Sequence, residues 1–203
     1  MKFRFIIRLQ RGFTLVEMMV VVAIMAVLLG VAAPSFQTFV ANAKIRSVAE
    51  NIQAGLMLAK SEALRRNENI SFWLVDGLGA TCARSSSGNT WVVSFDNPTE
   101  ACGSTPSDTV SPRLIQTGPP ISDTQGVTVA AVNSDAPAVA ASCVTFNGFG
   151  RVLTNCTGGT TRMARVAISS TTQAATTRAL DVRIDNGGGV RLCDPAKTGV
   201  AGC

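Results

Sequence analysis

The chain has no histidine anywhere in its 203 residues. That removes the side chain most often used as a general base and as a nitrogen ligand for metals. No two cysteines stand at Cys-x-x-Cys spacing, so a metal centre is not indicated. The carboxylates are scattered and show no paired arrangement suited to acid–base work. The glycine run Gly187–Gly189 has no P-loop lysine and no strand-to-helix context, which argues against a phosphate-cradling loop. The sequence therefore assigns no catalytic residue, no metal and no cofactor.

Charge is also missing where it would interrupt an apolar run. From Phe13 to Phe36 the only ionisable side chain is Glu17. The run of about 24 residues is too long for the core of a secretory signal peptide, which spans roughly 7 to 15 residues before a small-residue cleavage site, and it carries an acid near its start. It is long enough for a bilayer span of about 20 residues, and Lys2, Arg4, Arg8 and Arg11 precede it, as the cytoplasmic side of an anchor requires. A plain anchor leaves Glu17 unexplained, because a membrane carboxylate costs about 2.5 to 3.5 kcal/mol on insertion scales and normally has a partner or a function. The competing account is that Glu17 snorkels to the headgroups nearby.

Gly12-Phe13-Thr14-Leu15-Val16-Glu17, set between the basic leader and the apolar run, resembles the type III signal of type IV pilins and type II secretion pseudopilins. The resemblance implies that prepilin peptidase cuts after Gly12, that the new Phe13 amine is N-methylated, and that Glu17 pairs with the Phe13 ammonium of a neighbouring subunit. It also implies a role for Pro34, where pilin helices bend or melt on assembly. Cleavage would correct a misleading charge. Four of the 18 basic residues lie in the leader, which holds no acid, so the formal +5 would fall to +1, with 14 basic against 13 acidic residues. Bulk charge then gives no reason to expect nucleic-acid binding, and local clusters must carry any such claim.

After Pro34, the residues Phe36, Phe39, Val40, Ala43, Val48, Ile52, Leu56, Ala59 and Ala63 recur at three- and four-residue spacing among charged residues, which predicts an amphipathic helix with one face for a sheet. The stretch from Arg46-Ser47-Val48-Ala49 to Leu58-Ala59-Lys60-Ser61-Glu62-Ala63-Leu64-Arg65-Arg66-Asn67 is similar to the GspH/FimT group of minor pilins and pseudopilins. Glu62, Arg65 and Arg66 read as a solvated face with helical-spacing ion pairs.

Beyond Asn67 the periodicity shortens. Strands are predicted at Ile70–Val75, Thr90–Phe95, Arg113–Gln116, Val127–Val132, Cys143–Phe146, Arg151–Thr154, Arg165–Ser169, Leu180–Ile184 and Gly189–Cys193, with a hairpin turn at Asn147-Gly148-Phe149-Gly150. Ser85–Pro120 is rich in Ser, Thr, Gly and Pro and reads as loop-dominated, with the least order of the chain. The six cysteines, Cys82, Cys102, Cys143, Cys156, Cys193 and Cys203, follow the membrane segment and read as a disulfide framework. Fifteen pairings are open in principle, and sequence-local pairs (82–102, 143–156, 193–203) are preferred.

Arg178, Arg183 and Arg191 lie on or beside two adjacent predicted strands, with Arg162, Arg165 and Lys197 close in sequence or beyond them. One account is a hairpin whose arginines pair with Asp181 and Asp185; the other is a patch contacting phosphates without reading bases. Gly188-Gly189-Val190-Arg191 resembles the basic tail of FimT-type proteins implicated in DNA uptake. Arg191 matches that pattern's second arginine, and Gly189 replaces the first.

Taken together these readings predict an α+β protein: a leader (1–12), a transmembrane and assembly helix (13–36), an amphipathic continuation (37–67), and a periplasmic β-rich domain (68–203) of antiparallel sheet or sandwich. The resemblance implies a non-enzymatic minor pilin or pseudopilin of the bacterial inner membrane that inserts into or initiates a type IV pilus, at its tip. The alternatives are a type II secretion pseudopilin or a DNA-binding minor pilin. Other pilins, prepilin peptidase and double-stranded DNA are the implied partners.

Overall fold

The computed structural model describes residues 12–88, 90–119, 126–172, 175–198 and 202–203. Lys2, Arg4, Arg8 and Arg11, like Pro120, lie outside the described residues, as does the side chain of Pro34. The chain divides into two compact units, Met1–Phe39 and Val40–Cys203.

A single helix, α1 (Leu15–Arg66), runs for 52 residues. Between Leu15 and Phe39 it presents Val16, Met19, Leu28, Leu29, Val31 and Phe36 to the outside, each more than half exposed. No single straight helix among the described residues is long and apolar enough to cross a bilayer. The bent pair Leu15–Val31 and Ser35–Arg66 together meets that demand by length and composition. From Ile45 onward the apolar positions become core: Ile45, Val48, Ala49, Ile52, Leu56, Ala59 and Ala63 are all buried at helical spacing. The helix ends at Asn67, whose φ of 55° is the left-handed conformation of a C-terminal cap, with the Glu68 N–H returning to the Ala63 carbonyl.

Eight strands follow: β1 (Ile70–Val75), β2 (Thr90–Ser94), β3 (Leu114–Thr117), β4 (Val127–Val132), β5 (Cys143–Phe146), β6 (Arg165–Ser170), β7 (Leu180–Ile184) and β8 (Val190–Cys193). They form two four-stranded antiparallel sheets, ordered β3-β2-β1-β5 and β4-β6-β7-β8. The α+β reading therefore holds. One core joins the buried face of α1 to Phe72, Leu74, Trp91 and Phe146 of the first sheet and to Val129, Val166, Ile168 and Val182 of the second.

The two sheets differ on their far sides. Every residue of β1 and β2 is buried, because Trp73, Val75, Val92 and Leu114 form a second core with Cys82, Cys102, Cys143 and Cys156. Disulfides join Cys82 to Cys102, Cys143 to Cys156 and Cys193 to Cys203. In the second sheet, β4 and β6 alternate buried with open positions, so one face meets the core and the other faces outward. Gly55 sets the approach of α1 to the first sheet, since a Cβ there would lie 2.6 Å from the Trp91 ring and 2.7 Å from that of Phe72.

The structure departs from the predicted elements at several points. Arg151–Thr154 is not a strand, and only Val152 bridges to Phe146. The segment meets β5 through the Asn147 N–H on the Arg151 carbonyl and the Leu153 N–H on the Thr145 carbonyl, both at 2.9 Å, while the Val152 N–H, pointing away from β5, reaches the Asn186 carbonyl at 3.3 Å. The third strand starts one residue late because Arg113 takes a φ of 48°, its N–H returning to the Val110 carbonyl. The last strand starts at Val190 because Gly189 is used in the turn, its carbonyl accepting from the Asp185 N–H at 3.0 Å. Ser85–Pro120 carries β2 and β3, and the loop between them is tied by Cys82–Cys102, by Arg113 on Asp96 at 2.9 Å and by Arg66 on Asp108 at 2.6 Å.

Candidate functional site

Two places hold the residues singled out by sequence. The first is the start of α1. The Thr14 hydroxyl accepts from the Glu17 N–H at 3.2 Å, and the Glu17 carboxylate accepts from the Thr14 N–H at 3.4 Å. This reciprocal pair is a capping box: Thr14 is the residue before the first turn and Glu17 the third residue inside it. Thr14 and Glu17 thus satisfy between them two amide donors that a helix end would otherwise leave open, one through each side chain, and the Glu17 charge sits at the positive end of the helix dipole. The sequence carries a legible signal for this role, Thr-x-x-Glu ahead of an apolar run, that the reading of Glu17 as a charge alone passes over. Both residues are exposed, as are Gly12 and Phe13.

The second place is the β7–β8 hairpin, and it does not gather all three candidate arginines. Arg178 lies before β7. Its N–H is bound by the Asn42 side chain at 2.8 Å, and its guanidinium pairs with Asp194 at 3.1 Å. It lines a cleft of about 460 Å³ with Asn42, Arg46, Leu180, Leu192 and Lys197. Arg183 and Arg191 stand elsewhere, directly opposite each other, and Arg165 is directly opposite Arg183 on its other side. Their neighbours Val166, Val182 and Ile184 are buried in the core, so by strand alternation the three arginines share the outward face. Asp181, 2% exposed, lies 3.5 Å from Arg165 and 3.8 Å from Arg183. Asp185 accepts the Gly189 N–H at 2.8 Å, and the remaining arginine, Arg162, donates to Asn186 in the same turn.

The glycine run has a packing role. A Cβ on Gly188 would fall 1.9 Å from the Gly150 carbonyl, and its φ is +82°. Lys60 of α1 donates to the Gly188 carbonyl at 2.8 Å. The turn between β7 and β8 is therefore fastened to α1 and to the Asn147–Gly150 turn, whose Gly150 N–H bonds the Asn147 carbonyl at 2.8 Å. At the end of α1, Glu62 pairs with Arg65 and with Arg66, and these hydrogen bonds hold its carboxyl below the ordinary range. Among the described residues no group of His, Cys, Asp and Glu is placed to hold a metal ion.

Residues 48–188 match the family model described as type II transport protein GspH. The chain belongs to the GspH family. Residues 7–33 match the prokaryotic N-terminal methylation motif, which contains the Gly12–Glu17 segment; together with the family this implies a membrane-anchored, pilus-type protein. The GspH match ends before Arg191. Among curated relatives, the type IV major pilin protein PilE of Neisseria gonorrhoeae is 35% identical over 82 residues, 39% of this chain and 45% of that one. A fimbrial protein of Pseudomonas aeruginosa is 36% identical over 62 residues, 30% of this chain and 40% of that one. The GspH-family chain thus spans less than half the length of these relatives. The crystal structure of the Pseudomonas aeruginosa type IV minor pilin FimU is similar with a TM-score of 0.49 at 16% identity, covering 80% of this chain and 98% of that one.

Proposed function

We propose that this GspH-family protein is a non-enzymatic subunit that assembles through α1 into a type IV pilin-like filament. Cleavage after Gly12 frees Phe13, its amine is methylated, and the exposed apolar half of α1 holds the chain in the inner membrane with the β-rich domain in the periplasm. On assembly that half exchanges lipid for the helices of other pilins. The observation that carries this reading is the change along one helix: Leu15, Val16, Met19, Leu28, Leu29, Val31, Phe36 and Phe39 are apolar and exposed, whereas the stripe Ile45, Val48, Ala49, Ile52, Leu56, Ala59 and Ala63 is core. Apolar side chains of this size each gain about 1.5 to 3 kcal/mol when covered, so the first half of α1 requires a bilayer or neighbouring helices.

Glu17 has two demands to meet in that environment. Its carboxylate satisfies the Thr14 amide within the chain, and its charge offers a partner to the methylammonium of a neighbouring Phe13, where weak screening strengthens attraction. The family name points to the type II transport filament and the curated relatives are pilins, so pilus and pseudopilus are the two settings of one assembly role. The candidate DNA-binding reading gains no support of its own, because Arg178 stands in a different cleft from Arg183 and Arg191.

The test is mass spectrometry of the chain recovered from sheared filaments of a peptidase-competent cell. A mature form beginning at N-methyl Phe13 is the expected result. An intact leader, or a chain confined to membranes while filaments form without it, would overturn the assembly reading.

A further inference from the structure

The geometry points to a docking site for an acidic segment of a partner protein on the outward face of the sheet β4-β6-β7-β8. Arg165, Arg183 and Arg191 form a row across β6, β7 and β8, each directly opposite the next. Like charges placed opposite one another on a sheet destabilise it, and this row is set in the most unfavourable register available. Asp181 is the one carboxylate paired with it among the described residues, at 3.5 Å from Arg165 and 3.8 Å from Arg183, and neither contact is a hydrogen bond. The buried Nε of Arg183 has no hydrogen-bond acceptor among the described residues. Arg191 is exposed and has no carboxylate partner among them. Asp181 Oδ2 is likewise buried without a hydrogen-bond partner, so the row's own carboxylate does not complete it, and a carboxylate bound from outside would meet the half-exposed guanidinium of Arg183 and the exposed one of Arg191.

A cleft of about 480 Å³ lies over this row. One wall is the loop after β4, which is pre-formed: the Asn133 side-chain oxygen accepts from the Asp135 N–H at 3.2 Å and from the Val139 N–H at 2.8 Å. Arginine forks bind carboxylates through two parallel hydrogen bonds, and such charge-assisted bonds are the strong ones.

The choice of partner follows from the acids in the same cleft. Asp135 and Asp185 also line it. Both are fixed, Asp135 by the Asn133 amide at 2.6 Å and Asp185 by the Gly189 N–H at 2.8 Å, so neither withdraws easily. A nucleic-acid backbone carries a charge at every step and must pass them. A peptide can place one or two carboxylates on Arg183 and Arg191 and neutral atoms beside the aspartates. No residue of α1 lines the cleft, so failure of this proposal leaves the assembly reading intact.

The experiment uses the full chain in detergent micelles and a fluorescent tetraglutamate peptide, followed by anisotropy at low and at physiological salt. Salt-sensitive binding is expected, weakened about ten-fold or more by Arg191→Gln. Arg178→Gln, in the other cleft, should bind as the wild type does. Absent binding at low salt, equal binding by Arg191→Gln, or an equal loss in Arg178→Gln would overturn the proposal. Displacement by a short DNA duplex at lower concentration than by unlabelled peptide would give the site to nucleic acid and overturn it as well.

Discussion

Glutamine at position 17 separates the two functions assigned to Glu17. Its amide oxygen accepts from the Thr14 N–H as the carboxylate does, so a capping box survives, while the charge is lost. Alanine removes both. Losing a whole N-cap costs about 0.5 to 2 kcal/mol, and alanine at 17 deletes only the 3.4 Å bond from the Thr14 N–H while the Thr14 hydroxyl keeps its 3.2 Å bond, so the loss lies at the lower end. That loss frays one turn of a 52-residue helix and leaves the rest of α1 formed. A charge pair at contact distance is worth about 4 kcal/mol at an effective dielectric of 20, several times more. Neither variant should hinder insertion, since each removes a charge from the apolar segment. The assay is an immunoblot ratio of sheared filament to membrane fraction. Gln and Ala variants should both insert and both be depleted from filaments to a similar degree. Wild-type incorporation of Glu17→Gln would refute the charge-pairing argument and leave Glu17 as a cap.

Two further substitutions probe the domain. Gly55→Ala sets a helix-propensity gain of about 1 kcal/mol against overpacking of about 1 to 3 kcal/mol. Overpacking should win, because the Trp91 ring is held by its Nε1–H on Asn51 at 2.6 Å and cannot slide away; a lower urea midpoint is expected, and a higher one would show that the contact yields. Asp96 has its carboxyl held below the ordinary range by hydrogen bonds from Arg113, whose guanidinium also lies over Phe95. Its contribution is therefore present above the unfolded value of about 3.9 and lost as pH falls below it. Urea midpoints from pH 6 down to 3 should fall less for Asp96→Asn than for the wild type, and parallel curves would refute the assignment.

Local pattern made much of this structure legible. Ile70–Val75, Val127–Val132, Cys143–Phe146 and Leu180–Ile184 were readable because each is a short β-rich run between turn residues. The buried stripe of α1 was readable because helical spacing repeats from Val48 to Ala63. What escaped depended on neighbours distant in sequence. Arg151–Thr154 has strand composition, yet it meets β5 only around Val152, a pairing too short to count as a strand. Gly187–Gly189 has the composition of a nucleotide loop without its lysine, and the positive φ of Gly188 with its approach to Gly150, and that of Gly189 to Asp185, account for it. The arginine row needed the register of three strands, which separates Arg178 from Arg183 and brings in Arg165. The Thr14–Glu17 box is the exception, a local signal overlooked because the charge drew the interpretation.

The contrast between the sheets explains why one of them is available to a partner. Burying both faces of β1 and β2 requires a cover, and α1 covers only one. The other is closed by a segment rich in Ser, Thr, Gly and Pro, which has little apolar mass to contribute. There Cys82–Cys102 and Cys143–Cys156 stand in for it, joining the loops to Trp73, Val92 and Leu114. Such cross-links typically contribute about 2 to 4 kcal/mol, enough to hold a thin cover on a sheet. The outward side of β4, β6, β7 and β8 is closed only at one end, where Cys193, opposite Asp181 and bonded to Cys203, shares the face of Arg191; Thr128, Ala130 and Arg191 are exposed there, and Arg165 and Arg183 half so. A sheet left open and lined with arginines in register is solvated at a cost in repulsion that the covered sheet does not bear. That cost makes sense if something acidic completes the face.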